Sequence, residues 1–527
     1  MANKSLFQTL AGKLLPQTDA VNHELGRAYL FTAKHALAQY AATGCLNHTF
    51  YATADEQLAK VLELAGQVDA AFVAKTAIWA RERGFMKDMP AVLVAALSVL
   101  DANLMAKAFP RVVDNGKMLR NFVQVLRSGQ VARKSLGTRP KKLVQQWLSA
   151  RTDEQLFKDS VGNAPSLADV VKMVHPKPAT DARRALYGWL LGKPHDASQL
   201  PQLVKDFEAF KVQAAMHEAG GPKHLEVPDV PFQMLTALEL GKAEWTAIAK
   251  KAGWQMTRMN LNTFARHGVF EDAFMVNTIA NRLKDESLIR KARAFPYQLL
   301  AAYKAAGADV PAKIRDALHD AMEVATWNVP KIDGKVYVCP DVSGSMRSPV
   351  TGFRAGATSS MQCVDVAALI AASVLRKNPD AEVLPFEHAV VDLQLSGRDS
   401  VMTNAQKLAS VGGGGTNCSA PLARLNWKRA KGDLVVYVSD NESWVDARAG
   451  RGTATMQEWA TFKQRNPAAK LVCIDLQPYG TTQASEREDV LNVGGFSDHV
   501  FELLSTFADG GLDAAHWVET IEKVRLD

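Results

Sequence analysis

Val336-Tyr337-Val338-Cys339-Pro340-Asp341-Val342-Ser343-Gly344-Ser345 is the stretch whose reading decides how the second half of this chain folds. Four apolar residues run straight into a tight turn of small polar ones. The run is too short for a helix and has no polar alternation, which is the pattern of a parallel strand covered on both faces. Leu434-Val435-Val436-Tyr437-Val438 and Leu471-Val472-Cys473-Ile474 repeat it further along. Between them lie helical stretches such as Val364 to Leu375 and Met456 to Arg465. Strands alternating with helices predict a doubly wound α/β domain over residues 332–527.

In such a sheet the loops after strand C-termini are where ligands bind. The turn after the first strand offers one carboxylate and two hydroxyls: Asp341, Ser343 and Ser345. Asp440 stands at the end of another strand, and Thr416 follows the glycine run Gly412 to Gly415. All five are hard oxygen donors, so together they suit Mg²⁺ or another divalent cation that keeps some of its water. A soft thiolate has no place in that shell, so Cys418 reads as packing. The plainer reading is a polar turn in which Ser343 and Ser345 cap a following helix. A hydrolytic use of the ion needs a general base, for which Glu442 and Asp446 are the candidates. Neither has a His or Lys partner in the motif, and no Gly-x-x-x-x-Gly-Lys loop is present, so nucleotide hydrolysis is not expected.

Upstream the character changes. Residues 20 to about 325 read as helix after helix. Thr53 and Glu56 form a capping box ahead of Leu58, Val61, Leu62 and Ala65 at helical spacing. The next helix runs from Asp69 to Arg83 and stops at Gly84, expected at the left-handed position after the helix. Further helices are expected at Met118 to Arg127, Lys141 to Leu148, Asp169 to Val174 and Asp181 to Leu191. Helix pairs joined by short polar turns suggest an α-solenoid of HEAT type over residues 20–328, with a multi-helix bundle as the alternative. The linker is placed near residues 326–334.

Charge divides along the same line. From Lys331 onward there are 20 basic and 24 acidic side chains, a net −4; residues 1–330 carry 42 and 31, a net +11. Lys107 to Arg184 alone holds 16 basic and 6 acidic residues. A surface of that kind attracts polyanions, nucleic acid foremost. Five widely spaced cysteines fit reduced thiols in a cytoplasmic protein rather than a disulfide framework. No apolar run reaches membrane-spanning length, and Met1-Ala2-Asn3-Lys4-Ser5 lacks the apolar core of a signal peptide.

Several segments resemble the Ro autoantigen family, in which a helical TROVE module precedes a von Willebrand factor A domain. In the second half these are Asp341 to Met346, Gly414 to Ser419, Ser439 to Trp444, Lys470 to Cys473 and Gly494 to Asp498. In the first half they are Leu167 to Pro178 and Lys291 to Tyr297. The metal-loop segments are common to von Willebrand A domains, so the helical-half segments make the resemblance specific. It implies HEAT-like repeats closed into a ring, a metal-ion-dependent adhesion site, and a monomer that binds RNA without catalysis. It further implies small structured Y RNAs on a basic outer face and single-stranded 3′ ends of misfolded RNA in a central hole. For bacterial relatives it implies work beside an exoribonuclease, polynucleotide phosphorylase, in RNA quality control and stress survival.

By that resemblance His175, in its His-x-Lys-Pro context, and the pair Lys141 and Lys142 are outer-face candidates, while Asn262 and Arg293 belong to inner-hole elements. Charge alone adds Arg133, Lys134 and Arg139. Single strands also need stacking surfaces, which Trp254, Phe264 or His267 beside Arg258 and Arg266 can offer. For Trp254 and Phe264 the helix core is the favoured place. The sequence departs from the family at Phe295-Pro296, where His-Pro is usual, and in its longer glycine run. A reading of another class is a metal-dependent protein-adhesion scaffold with no primary RNA role.

Overall fold

The computed structural model describes residues 16–43, 46–218, 226–292, 294, 296–327, 329–353, 361–445, 452–495, 498–508 and 516–527. Two compact units emerge, and they do not follow chain order. One gathers Met1–Val68, Ala294–Ala305 and His319–Val524; the other gathers Asp69–Arg293, Ala306–Leu318 and Arg525–Asp527.

The first unit is built on a five-stranded parallel sheet. Its strands are β3 (Val336–Pro340), β4 (Glu382–Val383), β5 (Leu434–Ser439), β6 (Lys470–Asp475) and β8 (Val490–Gly494), in the order β4-β3-β5-β6-β8. Every residue of β3, β5 and β8 is buried, which is why their sequences lack polar alternation. Tyr337, Cys339, Val435, Tyr437, Leu471 and Cys473 share one face with Met456, Trp459 and Phe462 of the helix Ala454–Arg465. Leu422 and Leu425 of Ala420–Trp427 join them. The helix Cys363–Lys377, itself almost wholly buried, packs on β3, β4 and β5. The four described cysteines, Cys339, Cys363, Cys418 and Cys473, are buried in this unit and none of them is in a disulfide.

The expectation of uninterrupted helix from residue 20 fails at its start. Ala20–Val21 (β1) and Arg27–Leu30 (β2) form an antiparallel hairpin, and β2 pairs with β7 (Thr481–Thr482) of the α/β unit. The turn between them is held by Asn22, whose Oδ1 accepts from the N–H of Glu24 and of Gly26. This is a side-chain-to-backbone turn that helix periodicity does not register. Ala33–Thr43 then packs on β8.

The second unit is a succession of helices that pack mainly on their sequence neighbours, as in a solenoid. Ala70–Glu82, Asp88–Leu100, Ala102–Val112 and Gly116–Arg127 pack on one another. Thr138–Ala150, Leu167–Val174 and Asp181–Leu190 fall within one to three residues of their expected bounds. Asp69 caps its helix as read, and in the first unit the Thr53–Glu56 capping box forms in both directions. The stop at Gly84 differs from expectation. The left-handed residue is Phe85, with φ of 55°, while Gly84 serves close approach, since a Cβ there would lie 2.9 Å from the carbonyl oxygen of Ala80. Among the described residues no helix is long and apolar enough to cross a membrane.

Candidate functional site

The first candidate lies at the C-terminal ends of β3 and β5. The N–H of Asp341 donates to the Val438 carbonyl (2.9 Å), carrying the ladder one residue past β3, and Val342 N–H donates to that of Phe386. The turn then folds back on its own carboxylate. Asp341 Oδ1 accepts from the Ser343 N–H at 2.9 Å, and Oδ2 from the Ser439 hydroxyl at 2.6 Å. Ser343 and Ser345 hydroxyls stand 3.3 Å apart, and Ser345 hydrogen-bonds the Asp440 carboxyl. The capping reading of these serines is thereby excluded: the next element is a single 3₁₀ turn, Ser345–Arg347, without a side-chain cap.

Thr416 is delivered by the glycine run. Gly413 N–H donates to the Val342 carbonyl and Gly344 N–H to that of Gly414, both at 2.8 Å, locking the run against the Asp341 turn. Gly412 sits at φ of 82°, and a Cβ there would fall 2.3 Å from the Val342 carbonyl oxygen, so only glycine fits. Glu387 Oε2 accepts from Gly414 N–H at 2.6 Å and fixes the run from the outside. The longer glycine run is thus pinned rather than loose. The Thr416 carbonyl accepts from the N–H groups of Trp444 and Val445, just past Asp440.

All five expected donors are therefore in the same small region, and all are buried. Burial pushes the Asp341 carboxyl above the ordinary carboxylate range. Burial, then the charge of Asp341, pushes Asp440 up to about 8. Two further carboxylates stand beside the expected donors: Glu442, expected only as a candidate base, and Asp475, which motif reasoning missed. Glu442 is fully buried beside them, and Asp475, the last residue of β6, is driven well above the usual range by burial and by Asp440 and Glu442. The signal for Asp475 was available: like Asp341 and Asp440, it is an acid at the end of a buried strand. The set is all hard oxygen, short of positive charge, and chemically suited to a divalent cation. Glu442 does meet a histidine, one the motif could not show: it accepts from the His23 N–H at 2.8 Å and lies 3.5 Å from the His23 imidazole. Asp446 lies outside the described residues.

The second candidate is in the helical unit. A groove of about 840 Å³ is lined by Arg127, Lys134, Lys141, Lys142, Gln145 and Met173, among others. No carboxylate is among its lining residues, and no salt bridge involving the four cations is found among the described residues. Gly116–Arg127 contributes Arg127 at its C-terminus, and Thr138–Ala150 contributes the two lysines of its first turns. Gln145 Nε2 donates to the Val174 carbonyl at 2.6 Å and brings the end of Leu167–Val174 against the groove. His175 follows at once, exposed and left-handed (φ 50°), with Pro176 behind it. Lys134, Lys141 and Lys142 are thus brought together, with His175 two residues beyond Met173 and Arg127 as an addition that the sequence reading missed.

Other expected RNA-binding residues are differently placed. Arg133 leans over Gly137 and reaches the Ser98 carbonyl at 3.5 Å, and Arg139 hydrogen-bonds Asn103. Arg258, Asn262 and His267 form a separate group on Trp254–Met259 and Leu261–Arg266. Asn262 Oδ1 accepts from Gly307 N–H at 2.8 Å. His267 stacks on Trp245 with ring centroids 4.4 Å apart, and burial with nearby Arg266 lowers its pKa. Trp254 and Phe264 are core residues, as favoured. Arg293 and Phe295 lie outside the described residues.

The chain is similar in sequence and fold to known proteins. Residues 335–508 match the family described as the Ro60 vWA domain. The chain is 24% identical to the RNA-binding protein RO60 of Deinococcus radiodurans, over 96% of this chain and 99% of that one. It is 24% identical to the RNA-binding protein RO60 of Caenorhabditis elegans over 45% of this chain and 38% of that one. The crystal structure of the Deinococcus radiodurans RO (RSR) protein shares its fold, with a TM-score of 0.62 over 91% of this chain and all of that one, at 24% identity.

Proposed function

We propose that this chain, a Ro-type protein by its second domain and by a likeness running its whole length, is a non-catalytic RNA-binding protein. Its basic groove holds the phosphate backbone of a small structured, Y-like RNA. The observation that carries the reading is the groove itself: Arg127, Lys134, Lys141 and Lys142 converge on one surface with no acidic lining. Cations at such a surface release counterions from a phosphate backbone on binding, which gives strong affinity at low salt and little base specificity. The two proteins named as RNA-binding support it.

Single-stranded 3′ ends bind at the separate group of Arg258, Asn262 and His267, where the partly exposed His267 ring, backed by the buried Trp245, is the stacking candidate. The physiological role is RNA quality control in the cytoplasm, with an exoribonuclease such as polynucleotide phosphorylase as a partner. In the α/β unit Asp341, Ser343, Ser345, Thr416 and Asp440 hold Mg²⁺. The ion supplies positive charge that keeps two crowded carboxylates ionised, and the hydroxyls complete its oxygen shell.

Sequencing the RNA that co-purifies with the intact chain tests the reading. Enrichment of small, base-paired RNAs over a Lys141→Ala/Lys142→Ala variant is expected. RNA at background level in both contradicts it.

A further inference from the structure

The five donors are at most 5% exposed, and part of their cover comes from residues early in the chain. Asn22 Nδ2 donates to the Ser443 carbonyl at 2.7 Å. His23 N–H donates to Glu442. Gly26 passes so close that a Cβ would lie 2.3 Å from the Ser443 carbonyl oxygen. From the same part of the chain Tyr51 shares a hydrogen bond with the hydroxyl of Ser345, one of the donors. The rings of His23, Tyr51 and Tyr479 pack on one another at centroid separations of 5.1–5.7 Å, forming an aromatic layer. Every one of these residues belongs to the first compact unit.

A divalent ion that grips an external carboxylate needs one coordination position open to solvent. Here that approach is filled by side chains far removed in sequence. We infer that the Asn22–Gly26 turn, together with Tyr51, forms a lid built into the metal site, with Tyr51 as a positioning residue on Ser345 and His23 as the latch on Glu442. The lid and an external carboxylate ligand exclude one another. The site is therefore closed by default, and a partner reaches the ion only when the lid lifts. The inference rests on the metal reading above.

The test uses the full chain and Mn²⁺ alone as the probe. Measured are Mn²⁺ dissociation, water-proton relaxation by the bound ion, and amide hydrogen exchange of residues 22–26 and 51. The wild type is compared with Tyr51→Phe, Asn22→Ala and Gly26→Val. With a lid, wild-type Mn²⁺ leaves slowly and relaxes few waters. Tyr51→Phe and Asn22→Ala each speed its loss by about tenfold, the scale of one buried hydrogen bond, and raise the relaxation. Mn²⁺ also slows exchange at residues 22–26 and 51 in the wild type. Gly26→Val gives the largest opening, and the two milder variants serve if it does not fold. Binding to Gly26→Val but not to the wild type also supports the lid. Binding with equal dissociation, relaxation and exchange in all chains overturns the lid and leaves the metal site standing. No Mn²⁺ binding by any chain overturns the metal reading, and the lid with it.

Discussion

Replacing Lys134, Lys141 and Lys142 together by alanine is expected to weaken binding of a structured small RNA on the order of a hundredfold at moderate salt. The same change should flatten the plot of log affinity against log salt by about three, one for each lysine–phosphate pairing removed. The three ammonium groups line one groove with Arg127, and no carboxylate is there to neutralise them. Lys142 is exposed and Lys141 half-buried on a helix whose apolar side, Val144, Trp147 and Leu148, faces inward. Removing the ammonium groups therefore leaves the fold intact, which an unchanged melting temperature will verify. Fluorescence anisotropy over a salt series measures both quantities. Unaltered affinity and slope would place RNA elsewhere on the chain.

The second large effect concerns the α/β unit. Mg²⁺ at a hundredfold excess over its dissociation constant should stabilise that unit by about 2.7 kcal/mol, and Asp341→Ala should abolish the increment. The pH dependence has a definite sign. Asp440 has an ordinary value of 3.8 and is pushed up to about 8 in the fold, so between those values the folded state holds a proton that the unfolded chain has released. Stability in chelator should then fall as pH rises from about 4 to about 8, and level off above. Mg²⁺ takes the place of that proton, so its stabilisation should grow across the same window. Thermal melts with Mg²⁺ or chelator at several pH values check this. A Mg²⁺ increment that is absent, or that survives Asp341→Ala, contradicts the ligand assignment.

The parallel sheet was legible because burial on both faces writes itself as continuous apolar runs. Val336 to Cys339, Leu434 to Val438 and Leu471 to Ile474 needed no long-range information to be read as strands. The clustering of oxygen donors was legible for a related reason: Asp341, Ser343 and Ser345 are local to one turn. What escaped was long-range. The hairpin of Ala20–Val21 and Arg27–Leu30 is made by pairing with Thr481–Thr482, some 450 residues away, and its own sequence is only weakly β-forming. His23 and Tyr51 carry no local mark of their place over the donors, since that place is set by the fold of the whole unit. The RNA groove was half legible. Charge found Lys134 and the family resemblance found Lys141 and Lys142, but Arg127 belongs to a different helix and joins them only through packing. Charge also named Arg133 and Arg139, which hydrogen-bond Ser98 and Asn103 instead of lining the groove.

The central claim is that the basic helical groove, and not the α/β unit, is where RNA is held. Photocrosslinking of a bound small structured RNA to the intact chain, with the crosslinked peptides located by mass spectrometry, tests it most directly. The expected result is crosslinks concentrated between Arg127 and Lys177 and absent from that stretch at high salt. Crosslinks confined to residues 335–508 and insensitive to salt would contradict it.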